Sequence, residues 1–319
     1  MKNKYDKDFL IYLLEKMMVV RKFEEKIQAL FSDGVLHGTT HLGIGEEGTA
    51  VGATMALENQ DYIFATHRGH GQVIGKGADV NAVMAEMFGK KTGVSLGLGG
   101  SMHLADIEKG IFGTNGIVGA NLAIACGTAF SIKTKKEKDK IAVAFFGDGA
   151  TNEGVVHESM NIASVWNLPI LFVLVNNGYS VSKKLFEMTK NTNLLERAKI
   201  YDMKAYEVDG NNALEVFETV KKAREEILKE NAPILIVANT YRLSGHSKSD
   251  NNLYRNQEEI EKWQNKDPIK ALIGVIGCSK DEIVALENNV DNIIKEAVDF
   301  AKNSPEPTIE DILDRVYAK

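Results

Sequence analysis

The chain has 319 residues, 44% of them hydrophobic and 26% charged, with a formal net charge of −6. That length can bury a sizeable core, and mild acidity with no basic block argues against nucleic acid as a partner. No long apolar stretch follows the charged start at Met1 to Asp8, which argues against a signal peptide and a membrane span. The two cysteines, Cys126 and Cys278, lie far apart without metal-ligand spacing and read as buried thiols in a reducing cytoplasm. With no repeat or convincing linker, residues 1–319 read as one domain with an N-terminal helix and a C-terminal helical tail.

Residues Asp6 to Phe31 place Phe9, Leu10, Leu13, Leu14, Met17 and Phe23 on one broad face, the pattern of a packing helix with Arg21 and Lys22 on a solvated edge. A Gly-rich loop, Gly38 to Gly48, carries His41 into a helix of small residues ending near Leu57. A short strand, Asp61 to Ala65, then delivers Thr66-His67-Arg68-Gly69-His70-Gly71. His and Arg among glycines make a cationic pocket suited to a diphosphate, while a surface loop with a salt-bridged Arg68 is an equal alternative. After a helix from Val80 to Phe88, the glycines 93, 97, 99 and 100 imply close contact with a ligand or neighbouring chain, or a plain flexible loop. A tight turn, Gly113 to Gly119, can offer the backbone of Gly116 and Val118 to a flat heteroaromatic ring before a helix from Ala120 to Phe130.

The centre of the chain is Lys140 to Ser182. Two uninterrupted apolar runs, Ile141 to Phe146 and Ile170 to Val175, have the composition of parallel strands buried on both faces. A right-handed crossover through a helix ending at Trp166 would put Asp148 and Asn177 at the same sheet edge, where open parallel sheets bind ligands. Gly147 and Gly149 leave room for a phosphate at a helix start, but Asp148 would repel it unless a cation lay between them. Mg²⁺ suits one carboxylate, the Asn177 amide oxygen and the Tyr179 carbonyl. Beyond Tyr179 come a helix-prone segment to Ala198, a strand at Ala205 to Val208, and turn and cap chemistry at Asp209 to Asn212 before a helix from Ala213 to Lys229. A buried strand, Pro233 to Thr240, delivers the polar loop Tyr241 to Asp250, a candidate for ordering over a bound cofactor. Asp267-Pro268 marks a helix start, and Lys280 to Lys302 an amphipathic helix.

Alone, Gly-Asp-Gly and Asn-Asn-Gly are common turns. Here Gly116-Ile117-Val118-Gly119 and Gly147-Asp148-Gly149 are followed, after 26 residues, by Asn176-Asn177 and then by Tyr241-Arg242-Leu243-Ser244-Gly245-His246-Ser247-Lys248-Ser249-Asp250. In that order the sequence resembles the alpha subunits of two-chain thiamine-diphosphate-dependent dehydrogenases, the first components of 2-oxo acid and acetoin dehydrogenase complexes. The likeness runs from about Leu10 to Pro307.

The resemblance implies an α/β thiamine-diphosphate-binding fold, a parallel sheet flanked by helices. It implies thiamine diphosphate with Mg²⁺ on Asp148, Asn177 and the Tyr179 carbonyl. Arg68, Gly149, Ala150, Asn177 and His246 would surround the diphosphate, with His67 joining the cofactor-binding set, and Gly116 and Val118 would meet the aminopyrimidine. His41 and His246 would be the catalytic histidines. The implied reaction is oxidative carbon–carbon cleavage, with a two-carbon unit passed to the lipoyl group of a partner acyltransferase. The glutamate that activates the aminopyrimidine belongs to a beta subunit in such enzymes, which implies a heterotetramer of two alpha and two beta chains. His67 stands where pyruvate-type members often have Tyr, and Ser244 where they often have His. Both departures favour acetoin as substrate over pyruvate or a branched-chain 2-oxo acid. A non-catalytic scaffold subunit is the reading from another class, and the retained Asp148, Asn177, Arg68 and His246 argue against it.

Overall fold

The computed structural model describes residues 4–313; residues 1–3 of the charged start and 314–319 of the tail lie outside the described residues. The apolar runs become five strands: β1 (Tyr62–Phe64), β2 (Ala142–Gly147), β3 (Ile170–Asn176), β4 (Lys204–Asp209) and β5 (Ile234–Asn239). They form one parallel sheet in the order β1-β2-β3-β5-β4. Val143 stands opposite Leu171, and Leu171 opposite Ile234. Because every strand runs the same way, the segments after β1, β2, β3 and β5 all emerge at one edge.

Ten helices matter to that edge and its support. They are α1 (Lys7–Ser32), α2 (Glu47–Met55), α3 (His70–Lys76), α4 (Val80–Met87), α5 (Ala120–Lys135) and α6 (Gly154–Val165), then α7 (Ala213–Glu230), α8 (Gln257–Gln264), α9 (Pro268–Ile276) and α10 (Lys280–Asn303). Alternation along the central strands divides the core into two layers. Val143, Phe145, Leu171 and Val173 face α1 to α4, α7 and α10. Ala144, Phe146, Phe172 and Leu174 face α5 and α6 through Leu122, Ala125, Val156 and Met160. Phe145 and Phe172 are fully buried, and burying such a side chain contributes about 1.5–3 kcal/mol.

Several expectations are corrected. Arg21 is not on a solvated edge: its guanidinium forks onto the buried Glu47 carboxylate at 2.6 and 2.8 Å and reaches Asp267 at 2.9 Å, tying α1 to α2 and α9. The segment to Ala198 is not one helix. It holds a two-residue ladder, Tyr179–Ser180 against Lys183–Lys184, and two single turns, Leu185–Met188 and Glu196–Lys199. The Asn191 and Asn193 side chains there accept from Asn193 N and Leu195 N, turn bonds that compete with a helix. His70 and Gly71 leave the Gly-rich loop and open α3. Helix α5 continues past Phe130 to Lys135, and α8 follows the polar loop directly. Cys126 is buried, but Cys278 is only half-buried.

The glycines of the 93–100 loop have an internal explanation. Glu86 is buried on α4, and its two carboxylate oxygens accept from the amides of Ser95, Gly97, Gly99 and Gly100 at 2.7–2.9 Å. A Cβ on Gly97, which has φ +75°, would lie 2.4 Å from Gly89 backbone. The close contact shown is with the chain's own carboxylate and backbone.

Candidate active site

At the carboxyl edge of the sheet lies a cavity of about 230 Å³. All eleven residues singled out from the sequence line it: His41, His67, Arg68, Gly116, Val118, Asp148, Gly149, Ala150, Asn177, Tyr179 and His246. They come from six separate segments, which the fold brings to one edge.

Asp148 begins a 3₁₀ turn, Asp148–Asn152, directly after β2, and α6 starts only at Gly154. The first turn beside the cavity is therefore 3₁₀ rather than α-helical. Asp148 is 1% exposed; its Oδ1 accepts from Gly149 N at 2.9 Å, while its Oδ2 is buried without a partner. Burial pushes its carboxyl up to about 6, and the Glu46 carboxylate adds to the rise. Gly149 admits no side chain, since a Cβ there would lie 2.4 Å from Ser180 Oγ.

The Asn-Asn pair at the end of β3 divides its labour. Asn176 donates to Asn239 Oδ1 at 2.7 Å and ties β3 to β5. Asn177 faces the cavity, its amide donating to Glu46 Oε1 at 2.8 Å and its oxygen accepting from Tyr179 N at 3.1 Å. Tyr179 turns its ring away, with its hydroxyl donating to Glu259 at 2.6 Å and the Arg255 guanidinium 4.7 Å from its ring centre. Its backbone is what remains for the cavity.

Three imidazoles gather at the same cavity. The His41 ring lies 4.6 Å from His67 and 5.0 Å from His246, and His67 lies 6.1 Å from His246. Burial first, then the Arg68 guanidinium, holds His41 and His246 down to about 4 and His67 to about 3, so all three are neutral at neutral pH. Arg68 donates to Leu42 O at 2.6 Å and His246 O at 3.2 Å, and burial lowers it to about 10. Two of its five N–H donors are thus used on backbone, and the others are free for an anion. His70 does not join the cationic pocket: it is fully buried between Glu24 and Ser101.

The sequence reading missed Glu46 and Arg242. Glu46 is 5% exposed, lines the cavity and orients Asn177. It stands beside Glu47, whose charge is taken by Arg21, and nothing in the pair Glu46-Glu47 separates the two roles. Arg242 is buried with Nε and Nη1 unpaired, and its charge depresses the three histidines. Its signal was present, an Arg three residues past the end of a buried strand.

A buried carboxylate oxygen without a partner, next to an amide oxygen and a second carboxylate, suits a small hard cation. A cation so placed would suit a phosphorylated ligand reaching the Arg68 side of the same cavity. Fold and cavity together are those of an α/β protein with a ligand-sized cavity at the carboxyl edge of its parallel sheet. Residues 15–310 match the family described as dehydrogenase E1 component, and the chain belongs to that family of thiamine-diphosphate-dependent dehydrogenases.

Among its relatives, the alpha subunit of acetoin:2,6-dichlorophenolindophenol oxidoreductase of Bacillus subtilis is 41% identical, over 96% of this chain and 93% of that protein. The protein of the same name from Cupriavidus necator is 38% identical over 98% of this chain and 95% of its own. The pyruvate dehydrogenase E1 component subunit alpha of Rickettsia bellii is 35% identical over 99% of this chain and 96% of its own.

Proposed function

We propose that residues 1–319 act as one diphosphate-binding domain, the alpha subunit of a cytoplasmic acetoin dehydrogenase. In this reading Asp148, Asn177 and the Tyr179 carbonyl hold Mg²⁺, and Arg68, Gly149, Ala150 and His246 hold the diphosphate, with His67 beside them. Gly116 and Val118 offer backbone to the aminopyrimidine, and His41 and His246 face the reacting centre. When bound, thiamine diphosphate supplies the electron sink for carbon–carbon cleavage. The residues of this chain bind and orient it, exclude water, and present neutral imidazoles that can exchange a proton with substrate.

The observation that carries the reading is the unpartnered, buried Asp148 Oδ2 in the cavity that also holds Asn177, Arg68 and His246. A beta subunit is supported by apolar surface continuing from the cavity, where Ile117 is 70% and Val118 44% exposed, onto Ile124, Phe130, Val165 and Trp166 of α5, α6 and the turn after it. We infer a heterotetramer of two alpha and two beta chains, delivering the two-carbon unit to a lipoyl-bearing acyltransferase.

Acetoin is favoured by the two relatives bearing that name at 38–41% identity. The cavity's polarity agrees. Its histidines are neutral, and Arg68, the cationic side chain among its lining residues, is assigned to the diphosphate, so the lining offers no second cation to clamp the carboxylate of a 2-oxo acid. The test is reconstitution with the beta subunit and measurement of dye or lipoamide reduction. A kcat/KM for pyruvate or a branched-chain 2-oxo acid well above that for acetoin would overturn the substrate and leave the cofactor assignment standing.

A further inference from the structure

We propose that Glu24, His70, Ser101 and Thr40 form a positioning chain that fixes the His41 imidazole against the cavity, an inference that rests on the catalytic reading of His41 above. Glu24 on α1 accepts from His70 Nδ1 on α3 at 2.9 Å. His70 Nε2 meets Ser101 Oγ at 2.9 Å, and Ser101 Oγ meets Thr40 Oγ1 at 3.0 Å. The other Glu24 oxygen accepts from Gly43 N at 2.9 Å. The network therefore begins and ends on the segment Thr40 to Gly43, one attachment on each side of His41.

Each member is buried: Glu24, His70 and Thr40 are inaccessible and Ser101 is 5% exposed. None lines the cavity, so the chain acts on the site only through the residues it holds. A functional imidazole is ordinarily aimed by a hydrogen bond on its second nitrogen. His41 Nδ1 has no such partner. Its aim is set by backbone on both sides, helped by Leu42 O, which accepts from Arg68 and Ser244. Ser101 also precedes Met102 of the cavity wall, so the chain joins two walls of the site to α1.

The test compares Thr40→Val, which keeps shape and removes the hydroxyl, with Thr40→Ser, which keeps the hydroxyl. Both are made in the full chain assembled with its beta subunit. Thr40→Val should lower kcat for acetoin by roughly 10- to 100-fold, the scale of a displaced catalytic group. KM and the Kd of Mg²⁺-thiamine diphosphate should stay within about twofold of wild type. Thr40→Ser should restore most of the loss. Ser101→Ala breaks the chain one bond further away and should repeat the Thr40→Val pattern.

A readout independent of substrate is the titration of His41 in the full chain labelled with ¹³C-histidine, its signal identified by His41→Gln. The His67 ring lies 4.6 Å from this ring, Arg68, His246, Arg242 and His70 act on it electrostatically, and burial holds it near 4. In Thr40→Val the midpoint should climb toward 6.5 as the ring gains solvent. Unchanged kcat in Thr40→Val overturns the proposal. So does an equal loss in Thr40→Ser, a parallel loss of cofactor affinity, or an unmoved His41 midpoint. If the wild-type complex ignores acetoin, the substrate reading fails, and the titration still decides the chain.

Discussion

Replacing Asp148 by Asn keeps the shape of the side chain and an oxygen for Gly149 N, and removes a charge that is 1% exposed. Without a cation, that charge is a liability. Burial and Glu46 raise the carboxyl from 3.8 to about 6 in the folded chain, which corresponds to about 3 kcal/mol of differential stability. The sign follows from proton counting. Between 3.8 and about 6 the folded state binds a proton that the unfolded state has lost, so stability falls as pH rises through this window. Above it the whole penalty is present, and below 3.8 none of it is. Asp148→Asn should therefore be more stable than wild type by about 3 kcal/mol at about pH 7.5, with the gap closing as the medium is acidified. Adding Mg²⁺ and thiamine diphosphate should reverse the order. Wild type should gain about 4.1 kcal/mol at a thousandfold excess over Kd, and the variant nothing. Denaturant titration of the assembled protein with and without cofactor measures both differences. A variant less stable than wild type without cofactor, or equally stabilised by it, would refute the assignment of Asp148 to the cation.

Three further outcomes are expected. Arg21→Ala strands the buried Glu47 carboxylate and should cost about 3–5 kcal/mol in chemical unfolding; a loss below about 1 kcal/mol would put the pair among ordinary surface bridges. Limited proteolysis should nick the segment from Ser244 to Tyr254 more slowly once Mg²⁺ and thiamine diphosphate are present, and equal rates would make the loop plain surface. The alpha chain purified alone should show no turnover, and activity without the beta subunit would contradict the half-site reading.

The strands and the residues that line the cavity were legible for the same reason. Val143, Phe145, Leu171 and Val173 point to one face and Ala144, Phe146, Phe172 and Leu174 to the other, so both runs had to be apolar throughout. A strand of that kind ends where its ligand-facing turn begins, which is why Gly147-Asp148-Gly149 and Asn176-Asn177 could be placed on one edge from spacing alone. Long-range polar partnerships were not legible. Arg21 looks like half of a surface pair until α9 brings Asp267 against it. His70 shares the stretch Arg68-Gly69-His70, yet one turn of helix points it away from Arg68 toward Glu24. The segment from Ser182 to Ala198 misled because helix propensity is a weak local preference, and the Asn191 and Asn193 side chains capture the backbone amides first.

The buried carboxylates explain how a scaffold and a binding site can be built from one residue type. Glu86 places both oxygens on four backbone amides, Glu24 divides its two between His70 and Gly43 N, and Glu47 is held by Arg21 and Gly45 N. Asp61 likewise accepts from Arg224 and from Ile141 N and Glu58 N. Each of these carboxylates has its hydration replaced by donors of the chain and locks a loop or helix in place. Unlike these four, Asp148 keeps an oxygen with no donor, and it does so beside a further carboxylate, Glu46. A folded chain gains nothing from that arrangement unless a positive ligand completes it. In the reading proposed above, the unsatisfied oxygen is where stabilisation of the fold passes to binding of the cofactor, so removing its charge should help the empty protein and disable the loaded one.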